Sequence, residues 1–406
     1  MTARIEARVA IEALRAGVPN GAAIRALGST EDAIETQFDE RLDRAGDGAA
    51  GLVLAGGFGT GKSHLLGYLR EVALRRDFVV SHVTISKETP LAAPRAVYAA
   101  ALRGARVPGR TDDAITAALS EVQRRAGAVQ QLELWAATPE AALAPAFSAI
   151  LHLLNRQVDA DLLRRIEAFL GGGKLPAIQV RQALAKAGAR GMYDLRVGSE
   201  PELLSQRQRF IPQLFRAAGF AGWCVLFDEA ELIGRYGPLQ RALAYVELAR
   251  WLGLQADHRI PGITVTAAIS EDFATEVIHT RLDEEKLPER LRMKGLPDAA
   301  ELASAAMRAI QRATRLQQPA DADLVRHVGV LRDLYAAAYD WPAPALDPGA
   351  RLGNRTMRHH VRGWITQWDM LRLEGRAVDV DVTREVQSYA EDDTLAEAPA
   401  DPDVEP

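Results

Sequence analysis

Eight consecutive residues, Gly56-Gly57-Phe58-Gly59-Thr60-Gly61-Lys62-Ser63, have the spacing G-x-x-x-x-G-K-[ST] of a loop that cradles phosphate. Glycines let successive backbone N–H groups turn inward around an anion, where Cβ atoms would obstruct. A helix opening near Lys62 aims its positive dipole end at the same anion. The Lys62 ammonium suits the β- and γ-phosphates of a nucleoside triphosphate, and the Ser63 hydroxyl suits Mg2+. Gly57, Phe58, Gly59, Thr60, Gly61, Lys62, Ser63 and His64 are therefore the expected nucleotide-contacting stretch.

A second acidic motif lies far downstream. Asp228 and Glu229 close an apolar run and resemble a Walker B element. Asp228 would hold Mg2+ directly or through water, and Glu229 could orient or deprotonate an attacking water. A pair of acids favours triphosphate hydrolysis over transfer to a bound hydroxyl. Glu231 reads as solvated surface. Ser270, at the end of another apolar run, could reach the γ-phosphate or cap a helix starting at Glu271; Thr266 is the runner-up. Arg355, then Arg358, could swing over the nucleotide from the first turn of the last long helix. Arg290 and Arg281 are candidates for an arginine finger offered to a neighbouring subunit. His359 and His360 point about 100° apart on a helix with no ligand cluster nearby, so they read as ordinary histidines. Trp364 and Trp368 share one helical face and read as core.

The elements that must position these groups follow from periodicity. Residues 4–45 read as helices broken by Gly17-Val18-Pro19-Asn20-Gly21. Apolar runs at 51–55, 78–85, 221–227 and 262–269 read as buried strands of an α/β parallel sheet, with a short further strand at 291–296. Between 94 and 220 the strand signal vanishes, and helical periodicity appears at 113–125, 140–158, 160–170 and 177–187. This segment reads as a helical insertion, since it holds too many apolar residues to stay unfolded. Helices are also expected at 239–254, 298–316, 321–340 and 354–373. The expected division is a helical segment 1–50, an α/β core of 51–93 and 221–297, an insertion 94–220, a lid 298–385 and a disordered acidic tail 386–406.

Composition bounds the rest. The chain has 406 residues with 48% hydrophobic and 25% charged, ordinary for a globular protein. Its net charge is −5, but residues 391–406 hold seven acids and no base, leaving the remainder near neutral. The acidity therefore argues neither for nor against a nucleic-acid partner. A single cysteine, Cys224, excludes an intramolecular disulfide framework. No stretch has the length a membrane span needs, and the N-terminus lacks the apolar core of a signal peptide, so a cytoplasmic location is expected.

The phosphate loop, delayed acidic motif, sensor-like strand and helical lid resemble the AAA+ superfamily of P-loop ATPases, nearest its initiator-like branch. Four stretches carry a narrower likeness: Ala13-Leu14-Arg15-Ala16-Gly17-Val18-Pro19-Asn20, Gly56 to Leu66, Ser86-Lys87-Glu88-Thr89-Pro90-Leu91 and Phe227-Asp228-Glu229-Ala230-Glu231. These resemble the BREX-system ATP-binding proteins (BrxD-like) of bacterial and archaeal phage-defence islands. The resemblance implies ATP and Mg2+ as cofactors and a role in distinguishing foreign DNA. It implies partners among other phage-defence proteins, such as helicase or methyltransferase-associated components, and admits double-stranded DNA and homo-oligomers. By analogy with AAA+ proteins, Val18, Pro19 and Asn20 would line the base pocket. A second expectation, of a different class, is a nucleotide-gated scaffold that binds ATP without significant turnover. The basic runs Arg70/Arg75/Arg76 and Arg351/Arg355/Arg358/Arg362 could meet DNA phosphates or form solvated helix faces.

Overall fold

The computed structural model describes residues 3–18, 20–156, 158–347, 356–376 and 389–392. Its centre is a five-stranded, wholly parallel sheet. The strands are β1 (Leu52–Gly56), β2 (Phe78–Thr84), β3 (Gly222–Asp228), β4 (Ile263–Ser270) and β5 (Thr314–Arg315). They lie in the order β2-β3-β4-β1-β5. The α/β class and the four principal strands match expectation. Each of β1, β3 and β4 is buried along its whole length, which is why they read as continuous apolar runs rather than alternating ones.

The fifth strand is not where the sequence placed it. Residues 291–296 were expected to be strand, but Asp283–Met293 is a helix. Leu287 and Leu291 fall at i and i+4 and are both buried, with acids in the first turn and arginines in the last. An apolar/basic alternation as short as Leu291-Arg292-Met293-Lys294 cannot by itself separate strand from half-buried helix. The edge strand β5 instead interrupts the helix expected over 298–316, which ends at Gln311.

The residues between β2 and β3 are helical, from Pro94–Arg103 to Glu200–Ala217. Their apolar faces do not form a core of their own. Phe147, Phe169 and Phe210 belong to the same buried cluster as Val79, Val225 and Val265 of the sheet. The opposite sheet face packs against the helices Asp32–Asp43 and Lys62–Arg75, through Ile34, Phe38, Leu65 and Leu69. A third cluster joins the N-terminal helix Ala3–Ala16 to the C-terminal helices Asp321–Tyr339 and Met357–Glu374, around Ile11, Leu331, Tyr335, Trp364 and Trp368. The segment 1–50 is thus shared between two cores, and the stretch between them crosses the mouth of the phosphate loop.

Of the acidic tail expected over 386–406, residues 389–392 are described. Tyr389 is buried against Phe273, at 5.9 Å between ring centroids, and Glu391 and Asp392 pair with Arg241, Arg281 and Arg235. An aromatic ring with an apolar seat, flanked by acids facing three arginines, supplies the anchorage that the acid-rich sequence around it conceals.

Candidate functional site

The parallel register brings four strand ends to one side of the sheet. Gly56 of β1 lies beside Ser270 of β4, and Asp228 of β3 lies beside Thr84 of β2. Chain leaving these carboxyl ends forms the site, the usual place for ligands in open parallel sheets. Gly59 and Gly61 adopt φ of +77° and +110°, and the helix Lys62–Arg75 starts at once. A side chain at Gly59 would put its Cβ 2.9 Å from Thr356 Oγ1, so glycine is required there for conformation and for space.

Phe58, Gly59, Thr60, Gly61, Lys62, Ser63 and His64 all line one cavity, together with Glu229. Gly57 sits behind that rim and accepts a hydrogen bond from Thr60 Oγ1 at 2.9 Å. Lys62 is buried, and its Nζ donates to Gly56 O at 3.0 Å. His64 Nε2 lies 2.8 Å from Gly28 O, tying this helix to the N-terminal segment. Burial of His64 pushes its pKa down.

Asp228 is buried, with His82 Nε2 at 3.5 Å. Burial opposes its charge, but the nearby His82 and Ser63 side chains and the Glu229 N–H, which donates to Asp228 Oδ1 at 3.0 Å, outweigh this and hold the carboxyl below its ordinary range. A hydroxyl beside a carboxylate kept ionised is a fitting donor pair for Mg2+, which takes few protein ligands and completes its shell with water and phosphate oxygens. Among the described residues no group of three or more His, Cys, Asp or Glu could hold a metal. Glu229 is exposed and stands in the left-handed region, at φ +59°. Such a conformation costs a non-glycine residue about 1 kcal/mol or more and is found where surrounding structure enforces it. Partial desolvation of its carboxyl beside the cavity, then the charges of Glu231 and Asp228, raise its pKa, while that of Asp228 is lowered, so Glu229 is the more basic of the pair.

Several expectations need correction. Glu231 is not solvated surface: it is 2% exposed and lies 3.4 Å from Lys62 Nζ. It follows Asp228 in the 3-10 helix Ala230–Arg235, whose apolar neighbours Ala230 and Ile233 were the available signal. Ser270 is at the strand end, but its hydroxyl donates to Asp272 Oδ1 at 2.5 Å, which Tyr389 also contacts at 2.7 Å. Thr266 pairs with Leu52 and lies mid-strand, away from the loop. Asn20 is spent as a helix cap, accepting from Ala22 and Ala23 N–H, and lines a separate cavity beyond Ser63. Val18 does line the main cavity; Pro19 lies outside the described residues.

Arg355 also lies outside the described residues. Arg358, the second choice, is at the site: its N–H donates to Gly59 O at 3.1 Å and its guanidinium lies 4.8 Å over the Phe58 ring. Arg281 donates to Gly234 O at 2.8 Å and to Tyr389 O, so within this chain it is engaged by the C-terminal segment. Arg290 is exposed on the helix Asp283–Met293. His360 stacks on Trp364, and both tryptophans are fully buried. Burial raises the thiol pKa of Cys224 and keeps it protonated. Arg70 pairs with Glu71, and Arg76 with Asp39 and Asp43, so this basic run is largely neutralised from within.

Sequence reasoning missed the far wall of the cavity. Leu14, Leu27, Leu316, Gln317, His327 and Val361 line it, from five separated segments. Burial pushes the His327 pKa down to about 4, so its ring is neutral there.

Residues 3–133 match the family model described as BREX system ATP-binding protein BrxC/D. The match agrees with the resemblance read from the sequence, over a stretch that contains the whole phosphate loop and ends before β3. No curated protein matches the chain. No helix among the described residues is long and apolar enough to cross a membrane.

Proposed function

We propose that the chain is an Mg2+-dependent ATPase of AAA+ type in a bacterial phage-defence (BREX-type) system, passing its nucleotide state to partner proteins or DNA. One observation carries this reading: Lys62, Ser63, Asp228 and Glu229, from segments more than 160 residues apart, converge at the carboxyl end of one sheet, below the helix that presents Arg358. The insertion of β4 between β1 and β3 supports the AAA+ assignment. The family match supports ATP as the nucleotide and the defence role.

In this reading Lys62 and the loop amides hold the phosphates. Ser63 and Asp228 would hold Mg2+, which when bound neutralises charge on the phosphate oxygens. Glu229, raised in basicity, orients a water and accepts its proton. Arg358 approaches the γ-phosphate from the lid. Ser270 steadies the end of β4 through Asp272. The neutralised Arg70/Arg76 run favours engagement through partner proteins over direct DNA contact at that face.

The test compares ATP turnover of the parent and Glu229→Gln, with and without duplex DNA. The variant should bind ATP and hydrolyse it at least about 100-fold more slowly. Equal turnover removes Glu229 as the base. Tight binding with no turnover in any mixture favours the nucleotide-gated scaffold.

A further inference from the structure

Lys62 is the group on which phosphate binding turns, and the structure gives its ammonium a full set of partners within the protein. An ammonium has three N–H donors. Gly56 O lies 3.0 Å from Nζ, Gly57 O 3.5 Å and Glu231 Oε1 3.4 Å. Lys62 and Glu231 are 8% and 2% exposed, so water does not compete well for either. Glu231 Oε2 is buried and has no hydrogen-bond partner among the described residues. A carboxylate with one oxygen unsatisfied depends heavily on its neighbouring cation, because a buried charge without a partner is costly. Both side chains line the same cavity as the loop and Glu229.

We propose that Glu231 is a positioning residue that competes with phosphate for Lys62: it holds the ammonium back against the loop carbonyls, and nucleotide must draw Lys62 away from it. This rests on the reading of Gly56–Ser63 as an ATP site. The geometry assigns Glu231 a role distinct from that of Glu229. Glu229 is exposed to the cavity and free to meet water, whereas Glu231 faces the lysine from a buried position. The consequence is a deliberately weakened site. Part of the affinity of the loop for phosphate is used to part Lys62 from Glu231, and nucleotide loss returns the ammonium to its internal partner.

The experiment measures Mg·ATP affinity by calorimetry on the full chain for the parent, Glu231→Gln, Glu231→Asp, Lys62→Ala and the double variant Lys62→Ala/Glu231→Gln. Glutamine keeps the shape and removes the charge, so Glu231→Gln should bind ATP roughly tenfold more tightly, the scale of one charge-assisted hydrogen bond. Aspartate keeps the charge but withdraws it by one methylene, so Glu231→Asp should also bind more tightly, by a smaller factor, which keeps the test open should the glutamine variant fold poorly. In the Lys62→Ala background the gain from Glu231→Gln should largely disappear, since there is no ammonium to hold. A gain of equal size in that background would overturn the proposal in favour of simple charge repulsion. Unchanged or weaker binding by both single variants, with Lys62→Ala still losing affinity, would overturn it while leaving the ATP site intact. Equal ATP binding by the parent and Lys62→Ala would remove the ATP site itself, and the proposal with it.

Discussion

The wall of the cavity formed by the strand ends draws its groups from two short runs, 58–65 and 229–231, which follow β1 and β3. The opposite wall draws Leu14, Leu27, Leu316, His327, Arg358 and Val361 from helices and connections scattered over most of the chain. On the first wall the backbone fixes the chemistry: a left-handed glycine, a helix start, a carboxylate at a strand end. On the second wall, position depends on the packing of Ala3–Ala16 against the two C-terminal helices, far from the loop in sequence. The difference separates two tasks. In the proposed reading, the sheet places the phosphate chemistry, and a helical core that can be perturbed on its own encloses the rest of the nucleotide.

Four perturbations should sharpen or break that separation. Trp364→Ala removes a fully buried indole from the helical core and should cost about 3–5 kcal/mol there. Hydrogen exchange should then show loss of protection in Met357–Glu374 and Ala3–Ala16, with β1, β3 and β4 unchanged. Uniform loss across the sheet would mean that the two walls are one cooperative unit. Lys62→Ala should leave both cores folded and weaken ATP binding roughly 10- to 100-fold, from the loss of charged hydrogen bonds to phosphate. Retained affinity would deny the loop its role.

His327 permits a pH test of the helical wall alone. Its folded pKa of about 4 lies below the unfolded value of about 6.5. The unfolded chain therefore binds the proton first, so stability is greatest above the unfolded value and falls as pH drops toward 4. Linkage puts the loss between pH 7 and pH 5 at about 2 kcal/mol for this group. Thermal denaturation of parent and His327→Gln at both pH values should show a smaller pH dependence in the variant; an identical dependence would contradict the burial described. The smallest effect concerns the C-terminal segment. Tyr389→Phe removes the hydrogen bond to Asp272 and should cost about 1 kcal/mol. Equal melting for the parent and Tyr389→Phe would show that the contact contributes nothing to stability.

The same division explains what the sequence disclosed. Gly56–Ser63, Asp228 and Glu229 were legible because local spacing alone places them: a loop that tight admits few residues, and a strand end is marked by its apolar run. Arg358 was legible only as one of two arginines opening a helix. Glu231 was misread because acids are usually solvated, and burial beside Lys62 is a tertiary fact. Asn20 was misread because its type suits a helix cap as well as a base contact, and the cap prevailed. The strand expected at 291–296 failed because the apolar/basic alternation Leu291-Arg292-Met293-Lys294 is too short to distinguish period 2 from period 3.6. His327 and Leu316 had no local signature, since only the folding of the helical core brings them to the cavity.

The most direct measurement is a structure of Glu229→Gln with ATP and Mg2+. The account predicts the γ-phosphate beside Lys62, the ammonium drawn from Glu231, Mg2+ between Ser63 and Asp228, and the base enclosed by the helical wall near Val18 and Leu316. A nucleotide bound elsewhere, or phosphates in the loop with Mg2+ remote from Ser63 and Asp228, would contradict it.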